Sequence, residues 1–95
     1  MFVVLLKFSD NKARAGQLMG GHTAWIQRGL EEGIFLLIGS LQPNQGGAIL
    51  AHNTTRSDLE SRLKDDPFVA EQVVTAEILE ITPAKANARL EFLLG

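Results

Sequence analysis

The apolar positions of the chain divide it into six regular elements and a tail. Residues 1–8 (Met-Phe-Val-Val-Leu-Leu-Lys-Phe) are apolar except at Lys7, which predicts a first strand. Ser9-Asp10-Asn11 follows with turn and helix-capping chemistry. Across residues 12–32, Leu18, Trp25, Ile26 and Leu30 recur at helical spacing, with His22 on the same stripe. Gly16, Gly20, Gly21 and Gly29 oppose that helix, each by up to ~1 kcal/mol relative to Ala. The Gly20-Gly21 pair is the expected point of a break into two parts, and Gly33 is placed to cap the C-terminus. Residues 34–38 predict a second strand, 39–45 a loop, and 46–53 a third strand paired with the second as a hairpin. Thr55 with Asp58 three residues on has the form of a capping box in which Asp stands for Glu. It opens a second helix through Lys64, with Leu59 and Leu63 one turn apart. Asp65-Asp66-Pro67 ends that helix, because the residue before a proline avoids the α region. Residues 68–72 read as a further helical turn, 73–82 as a fourth strand, and 84–94 as a short C-terminal helix after Pro83.

The order βαββαβ is that of an α+β, ferredoxin-like domain: a four-stranded antiparallel sheet with both helices on one face. One domain is expected over 1–95, with a core in 1–82 and a tail in 83–95. A sheet covered on one side alone has a polar outer face in a monomer. The strands contradict that. In the first, Phe2, Val4, Leu6 and Phe8 share one face, and Val3 and Leu5 the other. The second sets Phe35 and Leu37 against Ile34, Leu36 and Ile38. The fourth sets Val74, Ala76 and Ile78 against Val73, Leu79 and Ile81, with Thr75 and Glu77 among the latter. Two apolar faces require a second cover, and the expected one is the sheet of an identical chain in a face-to-face homodimer. The alternative cover is the chain's own tail.

Composition narrows the chemistry. The chain holds nine Lys and Arg against eleven Asp and Glu, a net charge of −2, which opposes a nucleic-acid module or a polybasic membrane binder. No cysteine is present, which excludes disulfides, iron–sulfur clusters, thiolate zinc sites and cysteine nucleophiles. The opening residues lack the basic region and small-residue cleavage site of a targeting peptide, and no apolar run approaches the ~20 residues of a membrane span. A soluble, cytoplasmic protein is expected.

With tyrosine also absent, His22 and His52 and the carboxylates are the groups left to move protons near neutral pH. From spacing alone His22, between Leu18 and Ile26, reads first as a core histidine. The functional alternative is that Gly20-Gly21 open space beside it for a ligand. Asp66, before Pro67-Phe68, reads first as a turn former; alternatively, it accepts the N–H of a histidine ring and fixes its tautomer. Gly39-Ser40 is a loop pair whose hydroxyl could donate to a substrate oxygen. No G-x-S-x-G elbow surrounds Ser40 and no glycine pattern cradles phosphate. His52 reads as a surface residue, and Trp25 as core or interface, with stacking on an aromatic ligand the lesser alternative. The histidines share no metal-ligand spacing, so neither metal nor cofactor is expected.

Three segments together resemble the YCII-related (YciI-like) family: His22-Thr-Ala-Trp-Ile-Gln-Arg-Gly-Leu-Glu-Glu-Gly33, Phe35-Leu-Leu-Ile-Gly39-Ser40, and Asp65-Asp66-Pro67-Phe68 leading into the fourth strand. The resemblance covers 1–82 and implies a dimeric α+β barrel of two sheet-packed protomers. It also implies a His–Asp pair in a cleft, carried onto His22 and Asp66, with the position after the strand-two glycine near that cleft; the expected substrate contacts are Gly39, Ser40 and, from its place one turn after His22, Trp25. The residue after the strand-two glycine is often Pro in that family, and Ser40 departs from it. Better understood relatives imply lyase or isomerase chemistry on small cyclic or aromatic compounds. The resulting expectation is a cofactor-independent general acid/base enzyme acting on a small organic acid or phenol-like molecule. The alternatives are a non-catalytic small-molecule-binding or accessory domain and a purely structural dimer.

Overall fold

The computed structural model describes residues 1–94. Strand β1 (Phe2–Phe8) leads through a 3₁₀ turn (Lys12–Arg14) into helix α1 (Ala15–Glu31), followed by β2 (Phe35–Leu41) and β3 (Gly46–Ala51). Helix α2 (Arg56–Lys64), the short helix α3 (Pro67–Ala70), strand β4 (Val74–Glu80) and a 3₁₀ segment (Ala88–Leu94) complete the chain. The strands form one antiparallel sheet in the order β2-β3-β1-β4, with the helices packed on it. This is the ferredoxin-like α+β arrangement expected from the element order.

Local chemistry explains the boundaries. Thr55 Oγ1 accepts the Asp58 N–H at 3.1 Å and caps α2. Gly33, at φ +75°, turns the chain out of α1 and donates its N–H to the Leu30 carbonyl. Helix α1 does not break at Gly20-Gly21, because one continuous backbone ladder runs from Ala15 to Glu31. Burial on the sheet compensates the poor propensity of its glycines: Trp25 and Gly29 are buried, and Leu18 and Ile26 pack against the core. Leu30, expected on that stripe, is 38% exposed.

The covered face of the sheet is the core: Phe2, Val4, Leu6, Ile49 and Ala51 lie beneath Trp25, Leu59, Leu63 and Phe68. Two strand assignments change. A bulge between Phe35 and Leu37 sets Phe35 opposite Ala51 and Ile38 opposite Ile49. The extra residue shifts the alternation by one, so Phe35 and Ile38 share the covered face and Leu37 falls outside it. Val73, expected on the outer face, is fully buried ahead of β4, its N–H donated to the Phe68 carbonyl and its own carbonyl accepting from Ser9. The uncovered face carries Val3 opposite Leu79 and Leu37 opposite Leu50.

The strands also end differently from expectation. β2 runs on to Leu41, so Gly39 and Ser40 are strand residues paired with Ala48 and Gly47, not a loop. β4 stops at Glu80, though Ile81 and Met1 exchange backbone hydrogen bonds beyond it. Residues 81–87 have no regular structure, so the helix expected over 84–94 is reduced to the 3₁₀ segment, which has no buried residue. Among the described residues no helix is long and apolar enough to cross a membrane.

Candidate functional site

His22 and Asp66, 44 residues apart, meet between α1 and α3. The geometry begins with Asp66-Pro67. Asp66 is held in extended backbone (φ −73°, ψ 121°) by the following proline, which takes the first position of α3 where its missing N–H costs nothing. Asp66 Oδ1 accepts the Phe68 N–H at 3.0 Å, capping the helix. The same oxygen lies 2.8 Å from His22 Nδ1. The sequence offered turn former and histidine partner as alternatives, and one oxygen does both.

A carboxylate oxygen only accepts, so the ring is the donor: Nδ1 carries a proton, and in the neutral ring the lone pair is on Nε2. Phe68 fixes the ring from a second direction, its plane parallel to the imidazole within 4° and its centroid 3.9 Å away. Asp66 is fully buried and the His22 side chain 12% exposed. Asp66 Oδ2 is also buried and has no partner among the described residues. All the stabilisation this carboxylate receives from donors therefore falls on Oδ1, through His22 and Phe68. Nε2 accepts no protein hydrogen bond among the described residues and is not sealed from solvent.

His22 lines a cavity of about 370 Å³ between α1 and the covered face of the sheet. Its walls are largely apolar, from Leu6, Phe8, Met19, Ile26, Ile38 and Phe68. The space exists because the β2–β3 hairpin supplies little bulk there: Gly39, Gly46 and Gly47 line it, beside Ser40. Gly46 sits at φ +131°, and a Cβ there would fall 1.9 Å from the Leu6 carbonyl oxygen, so only glycine fits. The bulge in β2 also matters here. It puts Ser40, opposite Gly47, on the same face as Ile38 and Leu6, where its hydroxyl can reach a bound molecule. Thr23 adds a second hydroxyl. No Lys, Arg, Asp or Glu lines the cavity.

The remaining expected residues separate. Gly39 and Ser40 share the cavity with His22, but Trp25 does not line it. Its indole is 2% exposed, donates Nε1–H to the Arg62 carbonyl at 2.9 Å and meets Phe35 edge to face at 5.1 Å. It belongs to the core and edges a second, polar cavity of about 510 Å³ with Arg28, Glu32, Asp58 and Arg62. There Glu32 accepts two N–H groups from Arg62, at 3.0 and 3.2 Å. That bonding and the opposite charge lower the Glu32 carboxyl from its ordinary value and raise the Arg62 guanidinium. His52 lines neither cavity and has Phe92 edge-on at 5.6 Å.

Sequence reasoning missed Thr23, Met19 and Phe68. Phe68 carried a signal, standing two residues after the capping Asp66 in a turn that folds back on α1. No group of three or more His, Asp and Glu among the described residues is placed to hold a metal ion. Comparison of the chain with protein-family models and with curated proteins finds no match.

Proposed function

We propose that the chain is a YciI-like protein and a cofactor-independent enzyme of the lyase or isomerase type, with His22 as general acid/base and Asp66 as its partner. One observation carries this reading: a histidine that lines an apolar cavity, with Nδ1 tied to a buried carboxylate and Nε2 unpartnered among the described residues. Such a ring is poised as a base at Nε2. Asp66 stabilises the imidazolium that forms when Nε2 takes a substrate proton. The C–H electron pair left behind either moves the double bond, with His22 returning the proton elsewhere, or expels a leaving group together with its own electron pair. Proton transfer by a positioned group of this kind contributes ~10²–10⁴-fold to rate.

The lining favours an uncharged, phenol-like substrate over a carboxylic acid, because no cation is present to balance a carboxylate. The Ser40 and Thr23 hydroxyls would orient its oxygens. A non-catalytic binding reading draws on a different observation: beyond His22 the cavity offers hydroxyls and no second acid or base. Ligand-observed magnetic resonance with matched phenols and benzoates separates these readings. The enzyme reading expects phenol binding that weakens in His22→Ala and a new product on standing. Binding without chemical change at high protein concentration would favour the binding domain. No phenol binding at all would overturn both.

The same proposal includes a homodimer packed through the uncovered sheet faces. Its support is the exposure of apolar residues there, 54% for Leu37, 44% for Leu79 and 43% for the adjoining Ile81. The protomer also exposes 6030 Å², against about 5,400 Å² for a compact monomer of its 10.4 kDa mass. The excess is of the order of the ~800 Å² that each partner contributes to a stable interface.

A further inference from the structure

Two contacts join α1 to α3 at consecutive positions on both segments. His22 meets Asp66, and Gly21 meets Pro67. A Cβ added at Gly21 would stand 2.9 Å from Pro67 Cγ and 3.9 Å from Pro67 Cβ. Apolar carbons settle ~3.5–4.0 Å apart, so a methyl group there would drive the segments apart by up to ~1 Å. The Pro67 ring is closed onto its own backbone, so its Cγ can shift only by a change of pucker and cannot swing away as the end of a flexible side chain would. A bond of 2.8 Å between His22 Nδ1 and Asp66 Oδ1, lengthened by that much, leaves the ~2.7–3.2 Å range in which N–H···O bonds form.

Gly20 provides the contrast. It is the preceding residue on the same helix and also exposed, but nothing lies within 4 Å of the Cβ it would carry. Both glycines sit in the helix interior, where each costs up to ~1 kcal/mol relative to Ala. Only at Gly21 does the fold use the missing side chain.

We propose that Gly21 is a positioning residue: its close contact with Pro67 sets the distance at which Asp66 holds the His22 ring and fixes its tautomer. The inference rests on the reading of His22–Asp66 as the working pair and assigns a cause for its geometry. It predicts that the bond depends on the side chain at 21, not at 20, and that removing the Pro67 ring restores what a methyl at 21 disrupts.

The chain has two histidines, so ¹⁵N-histidine labelling gives two ring systems, with His52 as an internal reference. The wild-type protein should show His22 locked as the Nδ1–H tautomer. Gly20→Ala should leave that signature unchanged, and Gly21→Ala should lose it while His52 is unmoved. The double variant Gly21→Ala/Pro67→Ala, which lacks the ring carbon that would collide, should recover it. If Gly21→Ala does not fold, recovery of both fold and signature in the double variant still supports the contact, and failure to recover overturns it. An unchanged His22 signature in folded Gly21→Ala overturns the positioning role alone. A wild-type His22 without the Nδ1–H tautomer overturns the pair itself, and the proposal with it.

Discussion

The two faces of the sheet are built from similar residues and live in different surroundings. On the covered face Val4, Leu6, Ile49 and Ala51 are at most 3% exposed beneath α1 and α2. On the other, Leu37 and Leu79 are half-exposed although they are equally apolar. Similar residues therefore stand in different places: the first set holds the chain's own layers together, and the second is left exposed in the single chain. The candidate site follows the same division. It lies on the covered side, at the end of the sheet where glycines replace bulk, so the cavity is a place where the core was left unfilled.

The largest effect belongs to the covered face. Leu59→Ala removes a fully buried side chain and should cost about 2–5 kcal/mol in urea unfolding at unchanged denaturant dependence. A loss under ~1 kcal/mol would mean that the helix layer is looser than its burial implies. Asp66→Ala comes next. It removes the α3 cap and the His22 partner together and should cost about 1–3 kcal/mol. A matched Asp65→Ala at the more exposed neighbour should cost less, and equal losses would deny Asp66 its special place.

The uncovered face is tested by a change that should barely affect the protomer. Leu37→Asp, at a half-exposed position, should alter intrinsic stability by no more than about 0.5 kcal/mol. Its sedimentation mass should nevertheless fall to one chain, and the concentration dependence of Tm expected of a wild-type dimer should vanish. A wild-type chain that already sediments as a monomer would remove the second cover altogether.

The smallest effect is electrostatic. The Arg62 guanidinium holds the Glu32 carboxyl below its ordinary 4.5. The folded value being the lower one, this pair contributes stability above the unfolded value, and the contribution is lost as pH falls through the folded one. Glu32 is more than half exposed, so solvent screens most of it. Glu32→Gln should lower stability slightly at neutral pH and leave it unchanged in acid, which flattens the acid limb of a stability–pH curve; a loss larger at acid pH than at neutral pH would contradict that sign.

The fold was legible because the elements carried their own punctuation: Gly33 after α1, Thr55-x-x-Asp58 before α2 and Asp65-Asp66-Pro67 after it. The faces of β2 were not, because one inserted residue reverses the alternation and sequence does not display a bulge. That single feature moved Ile38 to the core and Ser40 to the cavity. His22 and Asp66 were each visible as candidates, but their meeting depends on how α1 crosses α3, which no local pattern encodes. Trp25 fell among the substrate contacts only through its place one turn from His22. In the fold that turn faces the core, and its indole points to Arg62 and Phe35.

The most direct measurement of His22 as an acid/base group needs no knowledge of the pathway. Small phenols and cyclic enones that bind the protein are incubated with it in deuterium oxide, and carbon-bound deuterium is followed by mass spectrometry. Exchange should proceed with the wild type, fall by roughly the ~10²–10⁴-fold worth of a positioned proton-transfer group in His22→Ala, and fall substantially in Asp66→Asn, with each variant shown to be folded. Exchange at the wild-type rate in folded His22→Ala would show that this histidine moves no proton.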